Sequence, residues 1–410
     1  MPRKLFATKK LLLLSLFSTI LLLSFSGWAD RKDPPGKSDP HPKAKNIIFM
    51  IGDGMGLAHV IAARIFKNGP DGESLHLETL PTLGYQRTHS ASDSLTDSAA
   101  AASAWANGEK FNNGEVSCHD DDQDGRCAPA PSPTILEIAK AKGKATGLVV
   151  TSTVTHATPA AFGSHVPSRR CENEIARQYI QGTEVDVILG GGRKKFKSTG
   201  KQADECGTFG DFIADAERKG YQIVYTKKAL DAVVAKRSRK ILGLFAPKGK
   251  TPELFRLYPT EHYQTEEPTL PQMTAAALEI VERDENGFFL LVEGSQIDWA
   301  SHRNDVAYLI GETLAFDESV KVVLDWINEK PNRRQNTLVV ISADHETGGF
   351  AISGAKGEKY KRGDVVAHGW TSTGHTAEDT VIWSQGPGSQ YLGRALDNTD
   401  LYKVMLKVMK

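Results

Sequence analysis

"NIIFMIGDG", residues 46 to 54, places five apolar residues in a row before an aspartate set between two glycines. A half-exposed strand alternates apolar and polar residues, whereas an unbroken run reads as a strand buried on both faces, as in a parallel sheet covered by helices. Similar runs recur as "ATGLVVTS" (145–152), "VDVILGGG" (185–192), "GFFLLVEG" (287–294), "TLVVISADH" (337–345) and "DTVIWSQGP" (379–387). Between them lie helical patterns such as "TILEIAKAKG" (134–143), stopped by Gly143, and "TLAFDESVKVVLDWI" (313–327). This alternation predicts an α/β fold with a mostly parallel central sheet and helices on both faces. No Pro- or Ser-rich linker divides the chain, so residues 46–410 are expected to form one large domain with insertions.

The ends read differently. Arg3, Lys4, Lys9 and Lys10 precede an apolar run from Leu11 to Phe25 and then Gly27-Trp28-Ala29. This pattern predicts a signal peptide over residues 1–29, cleaved after Ala29. Residues 30–45, "DRKDPPGKSDPHPKAK", are rich in Pro, Lys and Asp and predict a flexible leader. No second apolar segment of that length follows, so no membrane anchor is expected after cleavage, and the location is periplasmic or secreted. Removing residues 1–29 takes four basic residues from the balanced 50 and 50, leaving an acidic excess of about four that argues against a nucleic-acid-binding role. Cys118, Cys127, Cys171 and Cys206 make an even set in an exported chain, and sequence order favours Cys118 with Cys127 and Cys171 with Cys206 among three possible pairings.

Acidic residues close three of the strands: Asp53, Glu293 and Asp344. In open α/β sheets the ligand site lies beyond the carboxyl ends of the strands. One such carboxylate is readily a helix cap, but histidines accompany these. His345 follows Asp344 directly, and Asp298 and His302 in "IDWASH" are four apart, on one helical face. His156 in "TVTHATPAAF" and His375 in "TSTGHTAEDT" add imidazoles in loop-like contexts. Together these residues predict a metal site.

"DSLTDSAAAASAWANGEK" (93–110) sets Asp97 and Ser98 before a run of small residues. Ser98 reads as a helix cap whose position also suits a nucleophile, because a helix start aims free N–H groups at an anion. Two other motifs carry less. "GDGMG" lacks the third spaced glycine of a dinucleotide fingerprint. "DDDQDG" (120–125) opens like a calcium loop, but Pro131 stands where the glutamate belongs, so a solvated acidic turn is expected.

"IGDGMG", "TDSAAAASAWANGEK", "ATPAAFGSHVPSR", "VEGSQIDWASH", "ADHETGGF" and "TGHT" resemble, in order, the motifs of the alkaline phosphatases. The resemblance implies a three-layer sandwich with a short crown insertion. It implies one zinc held by Asp298, His302 and His375, and a second held by Asp53, Asp344 and His345 beside the nucleophile Ser98. A third ion, usually magnesium, would be held by Asp53, Thr158 and Glu293. Arg169 would clamp the phosphate, and a phosphoserine intermediate would be hydrolysed to inorganic phosphate. His156 and Trp299 depart from relatives with Asp and Lys at these positions. An imidazole there favours zinc or cobalt over magnesium, and losing an ammonium near the phosphate implies weaker product inhibition. The expected partners are small phosphate monoesters and a second copy of the chain, with residues 346–374 as the candidate interface. The competing classes are a diesterase or pyrophosphatase of the same superfamily and a non-catalytic, metal-stabilised surface protein.

Overall fold

The computed structural model describes residues 42–120, 124–128, 131–198, 204–257, 266–354 and 357–410. The expected signal peptide, most of the leader and the centre of the acidic turn at 120–125 lie outside the described residues. At the near end of the expected leader, Ala44 is already fully buried and bridges to Met409.

Ten strands form one sheet: β1 (Asn46–Gly52), β2 (Thr82–Arg87), β3 (Ala145–Thr153), β4 (Val187–Gly191), β5 (Gln222–Val224), β6 (Ile241–Leu244), β7 (Phe288–Gly294), β8 (Thr337–Ser342), β9 (Thr380–Gln385) and β10 (Ala395–Asp397). Their spatial order is β10-β2-β9-β8-β1-β7-β3-β4-β6-β5. The strand β9 is the exception to parallel pairing: it runs antiparallel to both β8 and β2. The apolar run at 379–387 is therefore the antiparallel member of the mostly parallel sheet that was expected. It is long and buried enough to look parallel because it lies inside the sheet, between β8 and β2.

Alternate residues of β1 feed two separate cores. Ile47, Phe49 and Ile51 join Trp105, Phe162 and Ile175 on one face, while Ile48 and Met50 join Val60, Leu278, Phe316 and Val320 on the other. Helices thus cover both faces, which explains the unbroken apolar run. Phe49 meets Trp105 edge-on with ring centroids 5.0 Å apart. At about 25 cal/mol per Å², each of these fully buried aromatic side chains contributes a few kcal/mol.

The register brings the strand ends together. Ile51 of β1 lies beside Glu293 of β7 and Ser342 of β8, so Asp53, Glu293 and Asp344 leave one edge of the sheet side by side. The expected crown is a short hairpin, Phe350–Ser353 paired with Ala367–Trp370.

Candidate active site

Asp97, not Ser98, caps the helix Ser98–Asn107: its Oδ1 accepts from Ala100 N at 3.0 Å. The dual role expected of Ser98 is therefore divided, and Ser98 is the first helical residue with its hydroxyl free of capping. Its Oγ lies 3.3 Å from His345 Nε2. The four alanines that follow are buried and small enough for the helix to pack closely against Ala157–Gly163.

Around Ser98 the structure collects the acids and histidines of the strand ends. Donor atoms fall within 4.8 Å of one another in three groups here: Asp298 with His345 and His375; Asp53 with Asp344 and His345; and Asp53 with His156 and Glu293. A fourth group, His76 with Asp317 and Glu318, is bridged by the Lys67 ammonium, 2.7 Å from Glu318. In the first group His345 takes the place expected for His302. His302 closes the short helix Gln296–His302 at the rim, where it is 38% exposed, and its Nε2 lies 3.3 Å from Asp298 Oδ1.

Backbone carbonyls orient the imidazoles. His302 Nδ1 donates to Thr373 O at 2.6 Å and His375 Nδ1 to Thr96 O at 2.8 Å, which turns each Nε2 toward Asp298 Oδ1. Thr347 joins two groups, donating to Asp298 Oδ1 at 2.6 Å and lying 3.2 Å from His345 Nδ1. Arg169 donates from Nη1 to Asp97 Oδ2 at 2.8 Å, and its Nη2 lies 3.2 Å from His156 Nε2. Trp299 stands edge-on to His156, ring centroids 6.1 Å apart.

So many carboxylates in one buried place are electrostatically costly. Asp53 is pushed well above the usual carboxylate range, first by burial and then by Asp344, Asp298 and Glu293. Burial likewise raises Glu293 to about 7. Burial also raises Asp298, but the surrounding histidines outweigh it and bring it down to about 2. Both Asp53 oxygens, Glu293 Oε1, Thr158 Oγ1 and His156 Nδ1 are buried with no hydrogen-bond partner among the described residues. Unpaired oxygens in such a place are the donor set of hard and borderline cations.

The residues singled out in the sequence thus converge on one edge of the sheet. Asp97 was visible only as a cap and Thr347 not at all. Its place two residues after His345 in "ADHET" is all that the sequence offers for Thr347. The carbonyls of Thr96 and Thr373 have none, since a backbone acceptor has no side-chain signature.

Comparison with known proteins defines the class as phosphomonoester hydrolases. Residues 44–363 match the alkaline phosphatase family, and the chain belongs to it. It is 31% identical to alkaline phosphatase 3 of Bacillus subtilis, over 98% of this chain and 97% of that one. It is 33% identical to the alkaline phosphatase of Escherichia coli, over 88% and 85% respectively. Among solved structures, the alkaline phosphatase of the Antarctic bacterium TAB5 superposes with TM-score 0.74 at 28% identity, covering 90% of this chain and 98% of that one. Histidine-to-aspartate and histidine-to-glutamate variants of the TAB5 enzyme carry magnesium in an M3 site.

Proposed function

We propose that this chain hydrolyses phosphate monoesters by way of a phosphoserine at Ser98. The observation that carries the reading is the uncapped Ser98 hydroxyl at a helix start, 3.3 Å from His345, next to the Asp97 that holds Arg169. The donor chemistry suits two zinc ions, the first at Asp298, His302 and His375, where the two Nε2 atoms lie 3.3 and 3.6 Å from Asp298 Oδ1, and the second at Asp53, Asp344 and His345. It fits one magnesium ion at Asp53, Thr158 and Glu293, with His156 close enough to favour zinc or cobalt instead. When bound, these cations supply positive charge to the phosphate oxygens and lower the pKa of hydroxyl groups beside them.

The chain's own residues supply the rest. Asp97 and His156 hold two corners of the Arg169 guanidinium, so its remaining N–H groups face a phosphate as a rigid fork. The positive end of the Ser98–Asn107 helix favours the same anion. Ser98 Oγ attacks phosphorus in line, the ester P–O bond breaks, and the alcohol leaves with a proton. Water then attacks the phosphoserine, releasing inorganic phosphate and restoring the serine hydroxyl. A site that grips the phosphate leaves the alcohol unspecified, so broad specificity follows.

Residues 1–29 are read as an export signal, 46–410 as the single catalytic domain and a homodimer as the assembly. Both disulfides, Cys118–Cys127 and Cys171–Cys206, suit an oxidising compartment such as the periplasm or the medium. No described helix is long and apolar enough to cross a membrane.

The test is p-nitrophenyl phosphate hydrolysis at alkaline pH, before and after chelation, with zinc and magnesium restored and Ser98→Ala in parallel. Loss on chelation, recovery with metals, an inactive Ser98→Ala and a phosphoryl group trapped on the native protein by acid quench are expected. A faster rate on the bis(p-nitrophenyl) diester would overturn the monoesterase reading.

A further inference from the structure

Turns that contain glycine, Gly192 after β4 and Gly249 after β6, lie outside the proposed catalytic steps. After β4, Gly192 has φ +96° and donates to both Ala246 O and Lys248 O, while a Cβ on Gly191 would stand 2.0 Å from Lys248 O. These glycines let residues 246–250 lie directly against the end of β4.

Gly249, within that segment, needs another explanation. Its φ is outside the left-handed region, so the backbone does not demand glycine. Yet a Cβ there would stand 2.5 Å from Trp299 Cη2 and 2.6 Å from Trp299 Cζ3. Space for the indole is what the position preserves. The segment has no room to retreat. Lys248 O is held by Gly192 N at 2.8 Å, Lys250 N donates to Thr151 O at 3.0 Å, and Lys250 O accepts from Gln296 Nε2 at 2.8 Å. Gln296 opens the helix that carries Trp299. A side chain at 249 would therefore displace the indole, not the backbone.

The indole in turn stands edge-on to His156, at an interplanar angle of 77°. His156 reaches Arg169 through Nε2 and shares a donor group with Asp53 and Glu293.

We propose that Gly249 is a positioning residue: the absence of a side chain there seats Trp299, and Trp299 fixes the His156 ring against Arg169 and the third donor group. The inference rests on the reading that Asp53, His156 and Glu293 hold a cation. Two measurements separate the two.

The first uses metal-free protein labelled with fluorotryptophan, in which the Trp299 resonance is assigned by its loss in Trp299→Leu. Gly249→Ala should shift that resonance, and an unmoved resonance overturns the seat whether or not a cation binds. The second is calorimetric titration of magnesium into chelator-treated protein. Gly249→Ala should bind about tenfold more weakly than the native chain, the size of effect found for groups that orient metal ligands. In the Trp299→Leu background, which lacks the clashing ring atoms, Gly249→Ala should change nothing further. An equal loss in both backgrounds overturns the proposal. A native chain that binds no magnesium, zinc or cobalt at this group overturns the metal reading and leaves the fluorine result to decide the seat. If Gly249→Ala does not fold while the double variant does, the seat is supported. If neither folds, the glycine serves the backbone and the proposal fails.

Discussion

One carboxylate, Asp97, serves both the helix that Ser98 opens and the Arg169 guanidinium: Oδ1 accepts from Ala100 N at 3.0 Å and Oδ2 from Arg169 Nη1 at 2.8 Å. Asp97→Asn retains a capping oxygen but loses the charge that orients the guanidinium. Inhibition by inorganic phosphate should weaken roughly fivefold, about 1 kcal/mol, with little change in melting temperature. Asp97→Ala should show the same weakening and also lose about 1 kcal/mol of stability through the missing cap. Equal phosphate inhibition in Asp97→Asn and the native chain would contradict the pairing.

His165 tests a pH dependence away from the metal donors. It lies on the segment leading to Arg169, with Nδ1 2.6 Å from Ser117 O and Nε2 3.0 Å from Glu137. Burial lowers its pKa, but the bond and charge of Glu137 outweigh burial and leave it raised. A raised histidine pKa stabilises the fold fully below the unfolded value near 6.5, and the gain disappears as pH rises through the folded pKa. Glu137→Gln keeps the shape and a Thr134 capping partner but removes the charge. The melting-temperature gap between native and Glu137→Gln should be larger at about pH 6 than at about pH 9. A gap that stays constant across that range would contradict the assignment.

The two disulfides close loops of unequal length, with sequence separations of 9 for Cys118–Cys127 and 35 for Cys171–Cys206. Chain entropy alone assigns about 3 kcal/mol to the shorter and about 4 kcal/mol to the longer. Paired Cys→Ser replacement of Cys171 and Cys206 should therefore lower the melting temperature further than replacement of Cys118 and Cys127. It should also lower activity more, since Cys171 lies two residues after Arg169.

Metal removal should expose the repulsion stored among Asp53, Glu293, Asp298 and Asp344. Saturating cation, at a hundredfold excess over Kd, adds about 2.7 kcal/mol per site, so chelation should lower the melting temperature markedly. Asp53→Asn should reverse its effect with conditions. It removes a carboxyl group that is costly to ionise in the metal-free site and should be more stable than the native chain after chelation, yet less stable with zinc and magnesium present. Calorimetry under both conditions checks the crossing, and a variant that is less stable in both would contradict the picture.

Legibility followed local pattern. The apolar runs of β1, β3, β4, β7 and β8 could be read because burial on both faces leaves no polar alternation. The three-residue strands β5 and β10 are too short to carry a period, and β2 hides in mixed sequence because Leu83 and Tyr85 point to solvent. Within the site, residues adjoining strand ends were readable because sheet topology sends them to one edge. Pairings across distance were not, as with Gln86. Buried in β2, Gln86 accepts from Trp105 Nε1 at 3.0 Å and donates to Ala343 O at 2.9 Å, tying the Ser98–Asn107 helix to the Asp344 loop. Nothing in its neighbours along the chain announces those bonds.

The donor residues are strung along the polypeptide from Asp53 to His375, and among the described residues no contiguous stretch supplies one of these donor groups. A chain that has not yet folded holds these imidazoles and carboxylates far apart in space and competes poorly for trace metals. On the metal reading proposed above, assembly of the sheet, and not synthesis of the chain, decides when these residues can hold an ion.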